Sequence, residues 1–369
     1  MRPAFSWADV EPEEHAVAFT VAKAMDLDVL EAIRGEVQKA LDEGLPLATF
    51  KKNFRANPAL SQWWGKREMV DPVTGELIEA QLGSPRRLKT IYNANLRSAR
   101  AAGQWERIER TRSAFPYLEY RLGPSEHHRV HHQDKAGMIL PVESAFWDEW
   151  MPPNGWGCKC WVRQVTKREA ARRGISTTPD VPDRVWTNER TGEKAIVPEG
   201  IDPGWQRNPG KLRREAMEGM LRGKLESAPA NVQAAALRDI ATSWRTQRIL
   251  SEGAPGIATV AAVPSQLSQH LDASTNLVAI SRDTADKQLR RHPEVLTNDY
   301  AKLADLMLEG KVLLQDKRNL VFLSHDELPW IAVIKRTIKG DELFLTTFYR
   351  ASSSRYVRRL IARGTVVRE

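Results

Sequence analysis

At 369 residues, with 41% hydrophobic content and a net charge of +8, the chain can bury two or three cores, and no run approaches the eighteen or so apolar residues that a bilayer requires. Two cysteines only two positions apart exclude a disulfide scaffold and fit a reducing compartment. Residues 1–49 hold ten acids against four bases, so the start is about −6 and the remainder about +14. That balance suits an acidic neighbour such as nucleic acid, and equally suits plain solvated helix faces. The opening residues run into acids rather than an apolar stretch, which is not the pattern of a secretory signal.

In chain order, residues 14–43 read as helical. Ala16, Phe19, Val21 and Ala22 precede a second run of Leu27, Val29, Leu30, Ile33, Val37 and Leu41, with Asp26 or Asp28 as cap. A short helix follows from Leu47 to Phe54, and the turn residues of 70–77 predict a small hairpin. Ser84-Pro85 opens the longest helix, buried along Leu88, Ile91, Tyr92, Ala99 and Ala102, with Arg86, Arg87, Lys89, Arg97 and Arg100 on its other side. Residues 115–121 and 161–165 read as strands, 167–173 as a helix, and 174–210, rich in Pro, Gly, Thr and Asp, as an extended arm or wrapped loop. Helical patterns return at 211–226 and 231–249, and Ser251–Gly256 reads as a linker.

Between the helical lead-in and the arm lies the densest chemistry. Residues 127–161 hold four of the eight histidines, both cysteines and four of the twelve tryptophans. Thiols and imidazoles suit a tetrahedral zinc site, here Cys158 and Cys160 with His128 and His132. Cys-x-Cys is less usual than Cys-x2-Cys, however, and the nearest histidine lies 26 positions before Cys158. Packing of a compact loop, a structural zinc, and a catalytic metal or Cys/His nucleophile therefore all stay open. Asp134 and Asp148 are the orienting acids within reach for the last of these.

The pattern Arg129-x2-His132-x4-Gly137, then Phe146-Trp147, Pro152-Pro-Asn-Gly155 and Cys158-Lys-Cys160-x-Val162, closely resembles the signature of the phage Mu F-like minor head (head morphogenesis) proteins. The resemblance covers about residues 30–165, and residues 197–204 look like its usual continuation. Lys159 stands where family members generally carry Arg. The resemblance implies a structural head protein, present in few copies near the portal and needed for assembly or DNA delivery, with no reaction in this domain. Arg129, His132, Gly137, Trp147, Cys158 and Cys160 are then structural. The implied partners are portal and capsid proteins and packaged DNA, and the implied location is the virion interior, or the bacterial cytoplasm during assembly.

Beyond residue 257 strands alternate with helices: strands at 277–280, 311–314, 320–323, 330–335 and 342–349, and helices at 281–284 onward, 299–309 and 352–362. A turn near Lys339-Gly-Asp341 places Val333, Lys335 and Thr337 on one face with Phe344, Thr346, Phe348 and Arg350. Ala332, Ile334, Ile338, Leu343, Leu345, Thr347 and Tyr349 take the other, the better core candidate. Metal-free RNA cleavage needs a base, an acid and cations for the phosphorane. His292 could serve as base or acid, Lys335 and Arg350 could hold the charge, and Thr346 or Tyr349 could position it. His292-Pro, the Tyr300 helix, Lys335-Arg-Thr337 and Thr346–Arg350 resemble the phage-associated nuclease-like domains grouped with barnase, EndoU, colicins and RelE. That resemblance implies an RNase-like, toxin-like effector.

The sequence thus predicts an α+β chain. A mainly helical head domain with a loop-rich His/Cys region spans 1–165, an arm and helical connector 166–254, and a small antiparallel-sheet domain with flanking helices 255–369. No cofactor is required, apart from a structural zinc if the cysteines hold one. The alternative is a purely structural or DNA-contacting head protein whose C-terminal fold has lost its chemistry.

Overall fold

The structure, a computed structural model, describes residues 3–10, 18–252 and 256–369, and the chain divides into two compact units, Met1–Glu218 and Gly219–Glu369. The α+β reading holds.

In the first unit, helix α1 (Leu27–Asp42) starts where Asp26 accepts hydrogen bonds from the N–H groups of Asp28 and Val29. The helix predicted from residue 14 is therefore shorter. Residues 14–17 lie outside the described residues, while the described chain before Asp26 is not helical: Ala22 bridges to Ala4 and a turn at Val21–Ala24 follows, with Lys23 at a φ of 64°. Helix α2 (Leu47–Ala56) and the hairpin β1 (Lys66–Val70) and β2 (Leu77–Gln81) follow, with Asp71 accepting from Val73 and Thr74 in the turn. Ser84 caps the long α3 (Pro85–Thr111), as its Ser-Pro start predicts. Its upper half packs Leu88, Ile91 and Leu96 against α1 and α2; its lower half gives Trp105 and Ile108 to a second cluster. Arg87 leaves the solvated face expected of it. Its guanidinium lies over Trp63 and donates to the carbonyls of Gln81, Leu82 and Ala22, so burial lowers its pKa to about 10.

The second cluster surrounds a three-stranded antiparallel sheet ordered β4 (Ile139–Pro141), β3 (Tyr117–Arg121), β5 (Trp161–Val165). Short helices α4 (Val130–Gln133) and α5 (Phe146–Trp150) lie between its strands in sequence, and α6 (Lys167–Arg173) follows β5. The segment predicted as an arm wraps this core. It forms a hairpin, β6 (Asp183–Thr187) and β7 (Lys194–Pro198), and buries Val197, Ile201 and Trp205 beside Trp147 and Trp150.

In the second unit, α8 (Ala230–Thr242) and α9 (Trp244–Glu252) follow α7 (Pro209–Ser227), inside which the unit boundary falls. The boundary lies earlier than the predicted linker because Ala241, Ile249 and Leu250 join the apolar cluster under the sheet. The predicted linker itself gives its first two residues to α9, and residues 253–255 lie outside the described residues.

Among the described residues that sheet has seven strands, ordered β14-β10-β11-β12-β13-β9-β8. They are β8 (Ile257–Ala262), β9 (Leu277–Ser281), β10 (Lys311–Asp316), β11 (Asn319–Leu323), β12 (Trp330–Arg336), β13 (Leu343–Arg350) and β14 (Thr365–Arg368). All neighbours pair antiparallel except β13 with β9, which meet in parallel only at Leu343 and Phe344. Helix α10 (Arg282–Arg291) covers the rest of the β13 edge, where Lys287 donates to the Thr346 carbonyl and Gln288 to that of Phe348. Helices α11 (Lys302–Glu309) and α12 (Ser354–Ile361) complete the unit.

Candidate metal centre and motif core

The motif residues are drawn together by bonds that span long stretches of chain. Arg129, just before α4, makes a bidentate pair with Asp202, both N···O distances being 2.8 Å. The Trp156 N–H donates to the same carboxylate at 2.7 Å, so Asp202 ties the start of α4 to the Pro-Pro-Asn-Gly-Trp loop. That loop contains a cis Pro152–Pro153 peptide. Gly137 takes a φ of 83°, open to glycine at little cost, and donates its N–H to Tyr120. Trp147 is fully buried and donates its indole N–H to Pro141 at 2.9 Å.

His132 is buried, edge-on to Trp150 and Tyr120. Its Nε2 lies 2.8 Å from the Gly200 carbonyl, and since a carbonyl only accepts, Nε2 carries the proton. Nδ1 then presents its lone pair to the two thiols, 3.9 Å from Cys158 Sγ and 3.5 Å from Cys160 Sγ. Gly200 sits at φ 91°, and a Cβ there would fall 2.5 Å from the His131 Cβ. The thiols titrate as a coupled pair. Cys160 is lowered to about 6 by the hydrogen bond from Cys158, while Cys158 is pushed up to about 12 by that same bond and by burial. Arg97 donates to the Cys158 carbonyl at 2.6 Å, and the Tyr120 hydroxyl to Asn154 at 3.0 Å. A cavity of about 200 Å³ borders the thiols and His132 and is also lined by His127 and His128.

Of the four predicted ligands, the structure thus gathers His132, Cys158 and Cys160, whose ligand atoms lie within 4.8 Å of one another among the described residues. His128 stays at the cavity wall outside this group. Sequence reading assigned no role to Asp202 or Gly200, although both lie in the 197–204 segment singled out as a continuation of the motif. Glu119, fully buried and bonded by Arg121, Arg163 and Arg173, carried no local signal at all.

The residues predicted for RNA cleavage are partly dispersed. His292 ends α10, stacks on Tyr349 with ring centroids 4.7 Å apart, and sets Nδ1 3.2 Å from Glu294. The Tyr349 hydroxyl lies 2.5 Å from that of Tyr356. Thr346 donates to the Val333 carbonyl and Arg350 to that of Leu328. Lys335 pairs with Phe344, whereas Arg350 pairs with Trp330 at the far end of the hairpin, about 17 Å along the strand. The predicted single face also fails. A register shift between Val333 and Ile334 sets Phe348 opposite Ala332, in the core, and Thr347 opposite Val333.

Residues 31–163 match the family described as Phage Mu protein F like protein. The chain is 32% identical over 265 residues to capsid assembly protein F of Escherichia phage Mu, covering 67% of this chain and 60% of that protein. It is 32% identical over 208 residues to the Mu-like prophage FluMu F protein of Haemophilus influenzae, covering 55% of this chain and 46% of that protein. The chain therefore spans roughly half to three-fifths of the length of these curated relatives. No solved structure matches. Residues 31–163, which run from α1 through β5 and hold every ligand of the candidate centre, are thus the part of the chain that is similar to the phage Mu F-like proteins.

Proposed function

We propose that the chain acts in assembly of a phage or prophage head, at or near the portal, through its N-terminal unit, with portal and capsid proteins as partners and packaged DNA as a neighbour. The observation that carries this reading is that the family match falls on the motif core, whose polar groups are committed to one another. Arg129 is held by Asp202, His132 by Gly200 and Trp147 by Pro141. Such a core rigidifies a loop-rich surface and calls for no reaction. The test is an in-frame deletion of the gene in a phage that encodes it, with electron microscopy of the lysate. Loss of DNA-filled heads, restored by wild type but not by Arg129→Ala, is expected. Normal head yield from the deletion overturns the reading.

A second reading, an RNase-like effector in the C-terminal unit, rests on one observation: His292 stacked on Tyr349 beside Glu294 and Tyr356. In this reading His292 takes the 2′-hydroxyl proton and Tyr349 positions the phosphate. Lys335 and Arg350 do not meet there, so another cation must serve. Incubating the full chain with RNA, alongside His292→Ala and Lys335→Ala, decides it. Cleavage lost with His292→Ala supports the activity, and intact RNA with every form leaves the head-assembly role alone.

A further inference from the structure

We propose that Cys158, Cys160 and His132 bind a zinc-class divalent ion that cross-links the motif core, its fourth coordination position facing the cavity lined by His127 and His128. A tetrahedral zinc with Zn–S of about 2.3 Å and Zn–N of about 2.0–2.1 Å sets its nitrogen and sulfur ligands about 3.6 Å apart. His132 Nδ1 stands 3.5 and 3.9 Å from the two sulfurs, on either side of that value. The imidazole is also oriented as a metal ligand is. Its Nε2–H is held by the Gly200 carbonyl, which fixes the tautomer and aims the other nitrogen at the thiols.

The surroundings fit the same role. Cys158 is buried and Cys160 half-buried, neither is in a disulfide, and Trp150 and Tyr120 wall the histidine, so little water competes for the ligands. Two thiolates and an imidazole form a borderline-soft set that prefers zinc to magnesium or calcium, with cobalt as a spectroscopic stand-in. The ligands come from α4 and from the chain entering β5, and the carbonyl that orients His132 comes from a third segment. An ion here would therefore join two pieces of chain 26 to 28 residues apart, with the Gly200 segment held to them through His132.

The test uses the full chain, expressed with added zinc and purified in a phosphine reductant without chelator. Elemental analysis should give about one zinc per chain, falling several-fold in Cys158→Ser/Cys160→Ser and in His132→Ala. Because those variants could lose the ion by misfolding, a second measurement uses wild type alone. The protein is stripped by chelator, checked by circular dichroism and titrated with Co(II). Thiolate-to-cobalt charge-transfer absorption that saturates near one equivalent, and is then bleached by zinc, is expected. Equal zinc in wild type and the double cysteine variant overturns the proposal, as does a Co(II) titration without charge-transfer bands.

Discussion

Glu119 offers the sharpest test of how the motif core is held. It sits in mid-β3 with its side chain fully excluded from water, opposite Arg163 in the β3–β5 ladder. Arg173 donates to it at 2.6 and 2.9 Å, Arg163 at 2.8 Å and Arg121 at 3.0 Å. The bonds from Arg173, and after them those from Arg163 and Arg121, outweigh burial and hold the carboxyl at about 2, against an ordinary 4.5. At 1.36 kcal/mol per unit this depression corresponds to about 3 kcal/mol. The three arginines are a third to a half exposed and can regain water, so Glu119→Gln should cost about 2 kcal/mol at pH 7.

The sign of the pH dependence follows from the depressed value. The stabilisation is complete above about 4.5 and disappears as pH falls towards about 2, because the unfolded chain takes up the proton first. Urea unfolding of wild type and Glu119→Gln, followed by tryptophan fluorescence at steps from pH 7 down to pH 3, measures this. Ten of the twelve tryptophans lie in residues 1–218, so the signal reports mainly on the unit that contains Glu119. A gap under about 0.5 kcal/mol at pH 7, or one that stays constant with pH, refutes the reasoning.

Arg129→Lys keeps the charge but loses the planar fork on Asp202. It should destabilise the same unit by about 1–2 kcal/mol in the same urea assay, whereas a purely electrostatic bond would lose almost nothing. Gly200→Ala places a Cβ 2.5 Å from His131 at a φ of 91°. An unfolding midpoint lowered by several degrees is expected, together with weaker Co(II) affinity if the Gly200 carbonyl orients His132. Gln288→Ala removes the donor to the Phe348 carbonyl and the acceptor for Thr347. It should cost about 1–3 kcal/mol, confined to the unfolding transition of the second unit, which hydrogen exchange can separate from the first.

What the sequence determined by itself was local. Asp26, Ser84, Ser281 and Ser353 accept from backbone N–H groups two or three residues ahead, so their helices start where the cap residue stands. The strands 311–314, 320–323, 330–335 and 342–349 announce themselves as apolar runs between turn residues, and the motif of 129–162 is legible as spaced residue types. Tertiary structure alone decided which of these pieces meet. A bulge at Val333–Ile334 reverses the faces of β13, and it depends on two strands pairing, which neither strand encodes. Asp202 becomes the partner of Arg129 across 73 residues, and Glu119 gathers arginines up to 54 residues away. Helices α8 and α9 join the C-terminal core because its sheet has an apolar face to cover, not because of anything at the linker. The two cysteines and His132 illustrate both halves. Their chemistry was plain from composition, but their convergence on one point needed the wrap of residues 174–205 and the Gly200 carbonyl, because contacts over such separations are fixed by packing rather than by local preference.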